Sequence, residues 1–248
     1  MKFGAIIEAR MNSSRLPGKV IIKIKGIPTI ILLIDRLKEV NKLDKIIVAT
    51  TTSKKDDKLC EILKKNNVSY FRGSESNVLE RVLNTAKKFK IKNIVQITGD
   101  CPLIDPEIVS QNLLIYEKNK FDYVSNSNVR SYPDGMDVAI FSTKILERAF
   151  KKTSNKYDLE HVTLFIRRNP NLFSICNILS PQSLFLPKLG LTLDEKDDFL
   201  LIKKIFNKFW KRRRDFSCLE VVNFLNKNKN FLKINSKIIR KKTPFIDK

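Results

Sequence analysis

Apolar positions in the first hundred residues alternate between two textures. Short continuous runs at 5–7 (AII), 45–50 (KIIVAT), 68–71 (VSYF) and 93–98 (NIVQIT) have the length and β-branched content of buried strands. Between them, apolar residues recur at i, i+3, i+4 and i+7. Ile30, Leu33, Ile34 and Leu37 mark a helix over 29–40, and Leu79, Val82, Leu83 and Ala86 another over 77–89. A third helix is expected near 55–65, opened by Asp56 and Asp57, whose charge suits the N-terminal dipole. Asp105 followed by Pro106 marks a further helix start, because Asp caps and proline at the first position loses no needed N–H.

Strands alternating with helices at this spacing predict an α/β fold, a mostly parallel open sheet covered by helices on both faces. Functional groups should then collect at the carboxyl ends of the strands. The second half is less regular. It predicts strands near 121–126 and 137–141, helices near 142–151, 158–168 and 197–209, and one more after the capping box Ser217-x-x-Glu220. No repeat or linker splits the chain, so one domain is expected over 1–228. The Lys/Asn-rich residues 229–248 read as a basic tail or peripheral appendage.

Composition narrows the class. With 42% hydrophobic residues spread along 248 positions, the chain is not a disordered basic tail, and no apolar run reaches the ~20 residues of a membrane span. The opening MKFGAIIEAR meets Arg10 after a short apolar run, so no secretory leader is expected. Cys60, Cys101, Cys176 and Cys218 are scattered without a CxxC pair, which fits a reducing cytoplasm and no zinc site. The net charge of +22 first suggests nucleic acid, but 35 of the 48 cations are lysines dispersed among acidic residues. The two dense clusters, Lys211-Arg212-Arg213-Arg214 and 240–242, carry no reading motif, so no nucleic-acid partner is expected. A single histidine, His161, excludes His-rich metal chemistry.

Residues 9–19 (ARMNSSRLPGK) directly follow the first strand. Arg10, Arg15 and Lys19, with Ser13, Ser14 and a Pro-Gly turn, make a site for a multiply charged anion. Arginine forks match phosphate oxygens, and a glycine turn lets backbone N–H groups approach. The loop is neither a Walker A sequence nor a dinucleotide fingerprint, since its one glycine is Gly18.

This loop resembles the N-terminal signature of the sugar cytidylyltransferases, the makers of CMP-activated sugar acids, and in particular the branch like spore coat polysaccharide cytidylyltransferases. Further blocks follow in register: KIIVAT (45–50), FRGS with VLER (71–81), ITGDCPLIDP (97–106), DYVSN (122–126), YPDGMDV (132–138), EHVT (160–163) and LTLDEKDDF (191–199). The resemblance implies a Rossmann-like nucleotidyltransferase fold and CMP transfer from CTP to a small acceptor, with Mg²⁺ as cofactor and a homodimer formed around 130–190. It implies that Ala9, Arg10, Ser13, Arg15, Lys19, Arg72, Gly73 and Ser74 bind the nucleotide, and that Arg10, Lys19 and Asp100 act in catalysis. By the same resemblance Asp100 and Asp194 hold the metal, while Asp134, Gly135, Asp137 and His161 recognise the acceptor. Both metal aspartates follow apolar, strand-like runs.

Three positions depart from the family pattern. Glu8 adds a carboxylate near the nucleotide end, and Leu159 and Gly190 each stand where an arginine is usual. The two losses remove cations from the acceptor side. Two other classes compete. A glycosyltransferase using a nucleotide sugar would carry a DxD motif where this chain reads Thr98-Gly99-Asp100-Cys101. A non-catalytic nucleic-acid-binding protein would have no use for Arg10, Lys19, Asp100 and Asp194 together.

Overall fold

The computed structural model describes residues 2–210 and 215–240. The cluster at 211–214 and the residues after Arg240 lie outside the described residues. In chain order the elements are β1 (Phe3–Glu8), β2 (Lys23–Ile24), β3 (Ile27–Pro28), α1 (Thr29–Leu37), β4 (Leu43–Thr51), α2 (Asp57–Lys65), β5 (Ser69–Gly73), α3 (Val78–Lys88) and β6 (Asn93–Thr98). There follow α4 (Pro106–Lys118), β7 (Tyr123–Ser125), β8 (Ala139–Ser142), α5 (Thr143–Lys152), α6 (Lys156–Glu160), α7 (Leu164–Arg167), β9 (Ile175–Asn177), α8 (Lys196–Phe209), α9 (Cys218–Lys227) and α10 (Lys229–Leu232).

Seven strands form one sheet in the order β5-β4-β1-β6-β8-β7-β9, and only β8 runs against the rest. The continuous apolar runs follow from burial on both faces. In β1, Phe3, Ala5 and Ile7 enter one core while Ile6 enters the other; in β6, Val95 and Ile97 oppose Ile94 in the same way. Helices α1, α4, α8 and α9 cover the first face, and α3, α5 and α7 cover the second. The predicted caps form: Asp105 accepts from the Glu107 amide at 2.8 Å, and Ser217 and Glu220 close their capping box.

Three expectations change. The helix expected over 158–168 is broken into α6 and α7, and buried Val162 sits between them at φ 44. A β-branched residue there costs roughly 1–3 kcal/mol, so the kink is held by its surroundings. The run before Asp194 forms no strand, only the single bridge between Gly190 and Asp134. Finally, of the expected appendage, residues 229–240 are described, and they touch the domain at two points: Asn235 is buried, and Arg240 reaches the carboxylates near α8.

Candidate nucleotide site

The cleft lies over the carboxyl ends of β1 and β6, the two central parallel strands. Gly99 makes their junction possible: its amide donates to the Glu8 carbonyl at 2.8 Å, and a Cβ there would stand 2.8 Å from that oxygen. The 9–19 loop is tied at both ends. Gly18 adopts φ 70 and its amide donates to the Met11 carbonyl at 2.9 Å, while the Met11 amide donates to Asp56 at 2.7 Å. Asp56 also accepts from the Thr50 hydroxyl at 3.0 Å and the Thr51 amide at 3.1 Å, so this buried carboxylate anchors the loop to β4. Its role exceeds the helix-dipole one that its position suggested.

The loop cations meet two aspartates. Lys19 Nζ donates to Asp100 Oδ2 at 2.7 Å and to Asp194 Oδ1 at 2.8 Å. Arg15 lies 2.9 Å from the other Asp194 oxygen and 3.5 Å from Glu195. Asp194 is carried there by the backbone: the Leu193 amide donates to the Asp100 carbonyl at 2.7 Å. Burial pushes the Asp100 carboxyl up, but Lys19, by charge and hydrogen bond, outweighs it and holds the group below its ordinary value. Burial likewise drives Lys19 down, and the two carboxylates outweigh it, keeping the ammonium above its usual range.

The cleft encloses about 350 Å³ and is lined by Ala9, Arg10, Ser13, Arg15, Lys19, Asp100, His161 and Asp194, all anticipated from the sequence. His161 caps the C-terminus of α6, and the Val162 kink lies directly after it. Glu8 also lines the cleft. Burial raises its carboxyl to about 7, against a hydrogen bond from Gln96 and the charge of Arg81. Its partners are thus Gln96 and Arg81, while Arg10 faces Glu75 at 3.8 Å.

Arg72, Gly73 and Ser74 do not line this cleft. Arg72 donates to the Thr51 and Ser53 carbonyls, each at 2.8 Å, and pairs with Asp57 at 2.7 Å, so it braces the end of β4. The sheet order explains this: β5 is an edge strand, separated from β1 by β4. Sequence reasoning missed Arg81, a buried arginine on α3 that lines the cleft and bonds the Ser74 carbonyl. The VLER block contained it, but an arginine beside an apolar stripe gave no sign of facing inward.

Asp134, Gly135 and Asp137 form a second group outside the cleft lining, beside Asp194. Arg130 bridges the two aspartates at 3.2 and 3.4 Å. Burial raises both carboxyls, Asp137 to about 6, against the opposing charge of Arg130. Gly135 has φ 106, and a Cβ would meet the Leu191 backbone at 2.7 Å, so only glycine lets this loop pack there.

The donor chemistry around Lys19 suits a hard divalent cation, because two carboxylates converge on one positive centre. Among the described residues no three His, Cys, Asp or Glu side chains gather into a cage. An ion held by Asp100 and Asp194 would therefore complete its shell with phosphate oxygens and water, as Mg²⁺ does.

Comparison with known proteins agrees with this geometry. Residues 4–238 match the cytidylyltransferase family model. The chain is 38% identical over 241 residues to the uncharacterized protein MJ1063 of Methanocaldococcus jannaschii, covering 97% of each chain. It is 31% identical to the spore coat polysaccharide biosynthesis protein SpsF of Bacillus subtilis, covering 90% of this chain and 93% of that one. The solved structure of a cytidylyltransferase from Leptospira borgpetersenii superposes with a TM-score of 0.89 at 32% identity, over 97% of this chain and 100% of the other. The match runs from β1 to the segment packed near Asp194 and takes in every part of the cleft: the chain belongs to the cytidylyltransferase family.

Proposed function

We propose that the protein transfers CMP from CTP to a sugar acid or a phosphorylated sugar or polyol, releasing pyrophosphate, in the synthesis of a surface polysaccharide or glycoconjugate. One observation carries this reading: Arg10, Arg15 and Lys19 converge with Asp100 and Asp194 in a single cleft at the ends of β1 and β6.

The loop amides, Ser13 and the arginines bind the triphosphate. Lys19 stands where negative charge builds as pyrophosphate departs, a preorganised countercharge that needs no rearrangement at the moment of reaction. An acceptor oxygen forms a bond to the α-phosphorus while the bond from that phosphorus to the α–β bridging oxygen breaks. Its electron pair leaves with pyrophosphate, and the acceptor proton passes to solvent. Mg²⁺, held by Asp100 and Asp194, would add Lewis-acid polarisation of the phosphate oxygens. Asp134 and Asp137 accept from acceptor hydroxyls, and His161, in the cleft lining, helps to orient the acceptor. Positioning and charge suffice, with no covalent intermediate.

A homodimer around 130–190 belongs to the same proposal, supported by large apolar side chains exposed there: Leu179 at 57% and Phe185 at 51%. Among the described residues no helix is long and apolar enough to cross a membrane, and a reaction drawing on CTP is assigned to the cytoplasm. The test is pyrophosphate release with CTP, UTP, ATP and GTP, each paired with sugar acids and phosphorylated polyols in Mg²⁺ buffer. Release from CTP alone, with one acceptor class, is expected. Release from UTP or ATP but not CTP would overturn the base assignment, and no release from any pair would overturn the reading.

A further inference from the structure

Asp198, on the first turn of α8, is fully buried, yet it receives five hydrogen bonds from described residues. Two come from the backbone just before the helix: the amides of Asp194 and Glu195 donate to Oδ2 at 3.0 and 2.9 Å. The other three arrive from the far end of the chain. Asn235 donates to Oδ1 at 2.8 Å, and Arg240 forks across both oxygens at 2.8 and 2.6 Å. Asn235 also donates to the Gly190 carbonyl at 2.9 Å, tying the same segment to the run that leads into Asp194.

Arg240 fits there because residue 190 has no side chain. A Cβ on Gly190 would stand 1.9 Å from an Arg240 nitrogen. The same guanidinium lies 3.8 Å from both Asp134 and Asp194, so it faces three carboxylates at once. A buried carboxylate without a partner is strongly unfavourable, and Asp198 has this arginine as its cation. If Arg240 is removed, Asp198 loses two of its five hydrogen bonds and is free to turn away. That weakens its hold on the Asp194 amide, and with it the placement of a carboxylate that Lys19 and Arg15 also grip.

We infer that Arg240, delivered by the C-terminal segment into the space left open at Gly190, is a positioning residue for Asp194, acting through the buried carboxylate of Asp198. It sits behind the cleft rather than in its lining. The inference rests on Asp194 serving in nucleotidyl transfer, and its test separates the two ideas.

Five proteins are compared: wild type, Arg240→Ala, Gly190→Ala, the double variant and the conservative control Arg240→Lys. Thermal unfolding first confirms that each is folded. Arg240→Ala should lower kcat for CTP-dependent pyrophosphate release about 10- to 100-fold while KM for CTP stays within about twofold, the pattern of a misplaced catalytic group. Arg240→Lys should recover part of the loss. Gly190→Ala should be harmful in the wild-type background and nearly silent once Arg240 is gone, because the two occupy one space. Amide hydrogen exchange gives a readout that needs no turnover: protection at Asp194 and Glu195 should fall in Arg240→Ala. Unchanged kcat and unchanged protection in Arg240→Ala, or effects of the two substitutions that simply add, would overturn the inference. Lost protection in a protein whose wild type releases no pyrophosphate from CTP would instead overturn the transferase reading and leave the clamp standing.

Discussion

Two pairs of aspartates stand side by side here, each bridged by one cation, and they behave oppositely. Lys19 holds Asp100 and Asp194 at 2.7 and 2.8 Å, whereas Arg130 reaches Asp134 and Asp137 at 3.2 and 3.4 Å. At the shorter distances charge outweighs desolvation, and Asp100 is held below its ordinary value. At the longer ones burial wins, and Asp137 titrates at about 6. The contrast teaches that contact with a cation does not by itself fix a carboxylate's state. Asp100 is held toward its charged form, whereas Asp137 is held toward its protonated form and can hydrogen-bond a hydroxyl.

The comparison breaks first at Asp100. Asp100→Ala removes a carboxylate from the reacting end of the cleft and should cost about 10³-fold in kcat for pyrophosphate release. Retained full activity would remove Asp100 from the mechanism. Lys19→Met comes next, with about a 10²-fold loss. Without the ammonium the Asp100 carboxyl should also move up toward the range of Asp137, which a carbon-detected NMR titration reads directly. Arg130→Ala perturbs the other pair. The KM for the acceptor should rise about tenfold with the KM for CTP unchanged, and an equal rise in both would dissolve the distinction between the two sites.

Stability supplies the smallest and sharpest contrast, because Asp100 and Asp137 are shifted in opposite directions. The folded state binds the Asp137 proton more tightly than the unfolded chain does. Its contribution is therefore full below 3.8 and lost as pH rises through about 6. Asp100 is lowered, so its contribution is present above 3.8 and lost as pH falls below that value. At pH 7, Asp137→Asn should then stabilise and Asp100→Asn destabilise the fold. After allowance for partial exposure, the Asp137→Asn gain is about 1 kcal/mol by denaturant unfolding, and the Asp100→Asn effect has the opposite sign. The same sign for both variants at pH 7 would refute the electrostatic account.

The central sheet and the anion loop were legible because their signals are local. The runs at 5–7, 45–50 and 93–98 each became a strand buried on both faces, and Arg10, Ser13, Arg15 and Lys19 followed a strand whose end faces the cleft. Asp194 was found through its motif although its expected strand is absent; a backbone bond to Asp100 does the placing instead. Arg72 lies outside the cleft lining, and its contacts were not legible in the sequence, because an arginine after a strand looks the same whether it faces a ligand or, as here, two backbone carbonyls and Asp57. The break at Val162 escaped because apolar periodicity continues across it, while the backbone does not.

The sequence by itself thus determined the α/β class, the strands that carry the site and the cations that line the cleft, since each depends on residues within one turn or one strand of each other. Only the tertiary structure decided which carboxylates stay charged and which residues reach them from far along the chain. Asp198 meets Arg240 across 42 positions, and Lys19 meets Asp194 across 175. Such contacts are set by where the backbone returns and by how much water remains there, and neither is written in the spacing of residues along the chain.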